Sequence, residues 1–276
     1  MSRQEDLRQS IESARHAEQE LEKASELLES GCFEKALEKL VELYDSGPHD
    51  LRFEICWQFQ KLVRVYSPAV EVVRLRRDQL EKLIYLDRAD LRVFHDWSRL
   101  NDILKEKLRA LFVYNEIKDA GYSNETINDL LNDVWKDLLK DKRYSELSKY
   151  LEKLTRSILQ YISEYDSISL FPSSGDVLED EQRYYRNNAA KNGPLVVELA
   201  SALGAKTIAE TLRQKLLELE SSDRMFARLI TAALAVEDNE LAIELFHQAK
   251  SSLTESKMKK VDEAISRLPE AWKERL

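Results

Sequence analysis

Only six glycines and five prolines punctuate the 276 residues of this chain. Average usage would supply about three times as many. Sheet folds need turn residues at short intervals, so this scarcity excludes a β-sandwich, a barrel or a doubly wound sheet. Helices are what remain. The 43% apolar content is enough to give them a packed core and argues against global disorder.

Apolar spacing then divides the chain into rods. Leu7, Ile11, Ala14, Leu21, Ala24 and Leu28 recur every three or four residues and predict one long first helix. Ser30-Gly31-Cys32 breaks it, with Gly31 able to take the left-handed conformation that closes a helix. Phe33, Ala36, Leu37, Leu40, Val41 and Tyr44 line a second helix, ended at Ser46-Gly47-Pro48. Two such helices joined by a short turn fold back on each other to hide their stripes. Leu51 to Tyr66 predicts a third helix. Ser67-Pro68 opens a fourth, with Ser67 as its cap and Pro68 in its first turn. A further pair spans roughly 90–120, and Ser123 is positioned to cap the helix carrying Ile127, Leu131, Val134 and Leu138. A hairpin recurring every ~36 to 38 residues is the pattern of an α-solenoid, each unit sheltering its neighbours' apolar faces. The expected fold is therefore all-α, an α-α superhelix of about 12 to 14 helices.

The rhythm breaks at residues 163–194. Phe171-Pro172-Ser173-Ser174-Gly175, the acidic run Glu179-Asp180-Glu181 and Asn192-Gly193-Pro194 read as an irregular insertion or linker. It divides a helical-repeat region, 1–162, from a second one, 195–276. Met258, Val261, Ile265 and Leu268 predict a capping helix before Pro269.

The first hairpin resembles a tetratricopeptide repeat. Gly31, Phe33, Ala36, Leu40 and Pro48 match that family's turn and second helix at all five spacings. Elsewhere the match is partial: Tyr144, Leu147 and Leu151 hold Leu where Ala is expected, and Gly204, Ala209, Ala242, Phe246 and Ala249 keep only part of the pattern. The stretch from Ala110 to Asn124 also resembles the second helix of a pentatricopeptide repeat. The resemblance implies a right-handed superhelix whose concave groove binds peptides or partner proteins. One subclass of that family grips acidic C-terminal tails through Lys and Asn. The corresponding first-repeat positions here hold Leu21 and Ser25, so that clamp is not supported.

Reactive chemistry is hard to find. The four histidines offer one Glu-x-x-His, Glu244 to His247, without the second copy a di-iron bundle needs, and Glu12 with His16 reads as a surface pair. Cys32 lies in a turn and Cys56 follows Ile55 on a core-facing stretch, where thiols act as small hydrophobes. No phosphate loop, nucleophile elbow or zinc spacing is present. The expectation is a non-enzymatic chain with no catalytic residue, cofactor or metal.

Two surface features point to a partner. Arg74, Arg76 and Arg77, with Lys61 and Arg64 one helix earlier, form the densest basic cluster, suited to an acidic peptide or a phosphate. The alternative is a helix face balanced by Glu71 and Asp78. Trp57, Trp97 and Trp135 are expected in inter-repeat packing, and Trp272 either docks on the last helices or is offered to a partner. The net charge of −9 argues against nucleic acid. The charged N-terminus and an apolar maximum at Leu229–Val236 point to an acidic cytoplasmic protein with no membrane segment. The expected function is a scaffold or adaptor holding a protein or peptide in the solenoid groove. Alternatives are an RNA-binding helical-repeat protein, and a ligand sensor or enzyme using 163–194 as a lid.

Overall fold

The computed structural model describes residues 3–169 and 176–276, and every regular element among the described residues is helical. Among the described residues fourteen α-helices follow one another, beginning with α1 Arg3–Glu29, α2 Phe33–Ser46, α3 Arg52–Val65, α4 Pro68–Tyr85, α5 Leu91–Leu104, α6 Arg109–Ile117 and α7 Asn124–Lys140. They continue with α8 Leu151–Ser169, α9 Asp176–Ala202, α10 Lys206–Leu219, α11 Asp223–Ala235, α12 Asn239–Ser252, α13 Lys259–Ile265 and α14 Glu270–Lys273. Residues Tyr144–Tyr150 form a 3-10 helix ahead of α8.

How a chain so poor in glycine ends its helices is visible in the turns. At Gly31, φ is 78°, Cys32 N–H reaches back to Leu27 O and Gly31 N–H to Leu28 O, the paired bonds of a Schellman closure. The same pairing recurs around Asp87, Lys105, Lys142 and Glu237, whose φ values of 53° to 62° are left-handed without being glycine. The tight hairpin turn is thus repeated at positions where composition gives no sign of it. Helix starts follow the expected chemistry at Ser123, Asp90, Ser222 and Asp238, each of which accepts a first-turn N–H. Ser67 does not cap; Pro68 alone marks the start of α4.

The chain forms two compact units, 1–134 and 135–276, divided inside α7. In the first, consecutive helices pack from α1 through α5, and α3 also touches α1 and α5. Its core runs without a break from Ala17 and Ala24 through Leu40, Ile55, Phe59 and Leu62 to Val73, Leu100 and Ile103. Ala36 is wholly buried, the small residue that lets α1 and α2 cross closely. In the second unit α9 packs on α8, α10 and α11, and α11 on α12 and α13. Met258, Val261, Ile265 and Leu268 are buried as the spacing requires.

Among the described residues of 163–194, helix stands where an irregular insertion is expected. Helix α8 continues to Ser169 and α9 begins at Asp176, running straight through Asn192-Gly193-Pro194. The residues between, 170–175, lie outside the described ones. Proline survives within α9 for a specific reason. Lacking an N–H, Pro194 leaves the Ala190 carbonyl without its helical donor, and Arg228 Nη1 from α11 donates to that oxygen at 2.8 Å. Gly193 is equally local in origin: a Cβ there would stand 2.5 Å from Leu216 Cδ2, so α10 packs directly on α9 backbone. Both residues read as breakers in one dimension and act as packing devices in three.

Candidate functional site

Helix α3 carries the most unusual surface. It buries Ile55, Cys56, Phe59 and Leu62 on one side, which places Phe53 and Trp57 on the other. These two aromatics are 59% and 54% exposed. Trp57 therefore departs from the packing role expected of it, whereas Trp97 and Trp135 are buried as expected. Each exposed ring has a cation beside it. The Arg99 guanidinium carbon of α5 lies 5.3 Å from the Phe53 ring centre, and Lys61 Nζ lies 5.9 Å from that of Trp57. Arg64, one turn beyond Lys61, is exposed, and Glu54 is the single acid on α3.

Below this face the seam between α3 and α5 is polar. Asp96 is 5% exposed, with its Oδ2 3.5 Å from His49 Nε2 and its Oδ1 3.9 Å from Arg99 Nη1. Arg52 stacks over the Tyr44 ring at 3.9 Å. Arg99 thus bridges the buried carboxylate and the exposed Phe53, fixing the ring's surroundings to the α5 frame. The neighbouring Cys56 thiol is pushed up to about 12 by burial, with the Asp96 charge adding to it, which favours its protonated form.

The basic cluster of α4 sits differently from the expected exposed patch. Arg76 and Arg77 are 9% and 5% exposed. Arg76 presents its fork to Asp45, with Nε and Nη2 at 3.0 and 2.5 Å, and so ties α4 to the end of α2. Arg77 Nη1 donates to Asn101 Oδ1 and Glu106 Oε2 at 2.8 and 2.6 Å, and Nε to Asp78 at 2.6 Å. That guanidinium holds the Glu106 carboxyl below the usual carboxylate range. Arg74 pairs with Glu71 at 2.5 Å and reaches Glu106 at 3.5 Å. The Glu71 and Asp78 balance does form, but two of the three guanidiniums are internal cross-braces. A run of arginines does not disclose in sequence that carboxylate partners reach it from elsewhere in the chain, Asp45 from α2 and Glu106 from the loop after α5.

Trp272 is half-buried on α14 with Arg275 stacked 5.0 Å from its ring centre. Glu244 pairs with Arg213 at 3.1 Å, and His247 Nε2 lies 3.3 Å from Arg275 O. Among the described residues, no three His, Cys, Asp or Glu side chains are grouped to hold a metal ion, and no helix is long and apolar enough to cross a membrane.

A scan against protein-family models and searches of curated proteins and of solved structures find no significant match to this chain.

Proposed function

We propose that the chain is a non-enzymatic interaction scaffold, a tetratricopeptide-like α-solenoid that holds a protein partner on the exposed face of α3 beside α5. Serial helix packing with α3 touching both α1 and α5 supports the solenoid reading, because alternate helices of such a stack lie side by side. The observation that carries the function is the Phe53–Trp57 pair, two large aromatics held in solvent one turn apart. Such anchors contribute most of the energy of many protein interfaces. Lys61, Arg64 and Arg99 around them select an acidic partner surface.

Retention of a partner by the wild-type chain and its loss in a Phe53→Ala/Trp57→Ala double variant with an unchanged melting temperature is the expected result. Equal retention by both proteins would refute the assignment. The paired cations and rings also suit the stacking of single-stranded RNA bases. A salt-sensitive mobility shift abolished in the same variant would move the reading from protein to RNA.

A further inference from the structure

The second unit holds an open cleft of about 380 Å³ where α9, α11 and α13 meet. Its floor is made of Pro194, Leu195, Ala227, Ala232 and Ala264, small or compact side chains that leave the space between the helices unfilled. The rim is basic in a chain that is acidic overall. Lys191, Arg228, Lys260 and Arg267 surround the floor, against Glu198 and Glu263.

These charges differ in how far they are already satisfied. Lys260 is bonded to Asp223 at 3.0 Å. Arg228 Nη1 is fixed on the Ala190 carbonyl, which orients the guanidinium without neutralising it. Lys191 and Arg267 have no ion-pair partner among the described residues. Glu198 accepts a hydrogen bond from Tyr144 at 3.0 Å, and burial raises its carboxyl above the ordinary range. Glu263 is the second acid of the lining, so four cations stand against two carboxylates. Positive charge therefore predominates around an aliphatic floor.

We infer that this cleft is a second binding site and takes an acidic peptide segment bearing aliphatic side chains. It rests on the scaffold reading only in taking a partner protein as the source of the peptide. Carboxylates complement the Lys191, Arg228 and Arg267 rim, and an alkyl side chain covers the alanine floor. The lining has no aromatic side chain, whereas small-molecule sites are rich in them. This sets a peptide above a cofactor or metabolite as the occupant.

Fluorescence anisotropy of the full chain with a short labelled peptide of alternating Glu and Leu tests the assignment. Saturable binding is expected, weakening about ten-fold or more in a Lys191→Glu/Arg267→Glu double variant. Both residues are exposed, so the variant retains its fold. Trp57→Ala is expected to bind the peptide like wild type. Absence of binding at low salt, or equal binding by the charge-reversed variant, would overturn the assignment and leave the α3 face untouched. Loss of binding in Trp57→Ala alone would place the peptide on α3 and likewise overturn it. Competition by succinate at concentrations matching the peptide would mark a small-anion site and also overturn it.

Discussion

Replacing Arg228 with methionine keeps an unbranched stem and removes the donor on which the middle of α9 depends. Ala190 is 7% exposed, so water has poor access to the carbonyl left behind. A hydrogen bond from a charged donor contributes about 1.5–3 kcal/mol, and an orphaned buried acceptor costs a similar amount. Arg228→Met should therefore lower stability by about 2 kcal/mol, a fall of roughly 3–4 °C in melting temperature for a chain of this size. The decisive test is a double-mutant cycle with Pro194→Ala. Alanine at 194 restores an N–H one helical turn after Ala190, giving that oxygen a backbone donor. In this background Arg228→Met should cost less than about 0.5 kcal/mol, leaving a coupling of at least ~1 kcal/mol. Urea denaturation followed by circular dichroism supplies all four free energies. Strictly additive effects would refute the argument, because they would mean that Pro194 and Arg228 do not share the Ala190 carbonyl.

Further expectations follow from other buried features. Ala36→Leu should overpack the α1–α2 crossing by about 1–3 kcal/mol; an unchanged melting temperature would show that Ala36 is not at the crossing. Arg77→Met leaves Glu106 and Asn101 without their shared donor and should destabilise by about 3 kcal/mol, measured by the same denaturation. Because Glu106 titrates lower in the fold than its ordinary 4.5, the stability from this pair is present above that pH and is lost as pH falls through the folded value. Glu106→Gln should flatten that acid limb of a melting-temperature profile. A thiol-reactive dye should label the exposed Cys32 in the native chain, with Cys56 reacting only after denaturation; rapid native labelling of both would contradict the burial of Cys56.

Much of this architecture could be read from periodicity, because a helix that hides one stripe must place apolar residues every three or four positions. That logic identified the α1–α2 hairpin, the Ser123 cap and the buried faces of α2 and α13. It failed where the meaning of a residue depends on another helix. Gly193 and Pro194 look like a stop until Leu216 and Arg228 are brought against them. Arg76 and Arg77 look like a ligand patch until Asp45 and Glu106 arrive from elsewhere in the chain. Trp57 shares the helix of Ile55 and Phe59, and tryptophan is buried so often that composition alone assigns it to the core. A helical wheel anchored on Ile55, Phe59 and Leu62 holds the missing signal, since it sets Phe53 and Trp57 on the opposite side. The cleft over α9, α11 and α13 had no comparable signature, because its floor of alanines is ordinary helix composition.

Photocrosslinking from α3 tests the scaffold reading most directly. A photoreactive phenylalanine analogue at position 53 is compared with one at Leu75, which is equally exposed on α4. A partner adduct is expected from position 53 and none from position 75. Adducts from 75 alone, or the same yield from both positions, would contradict it.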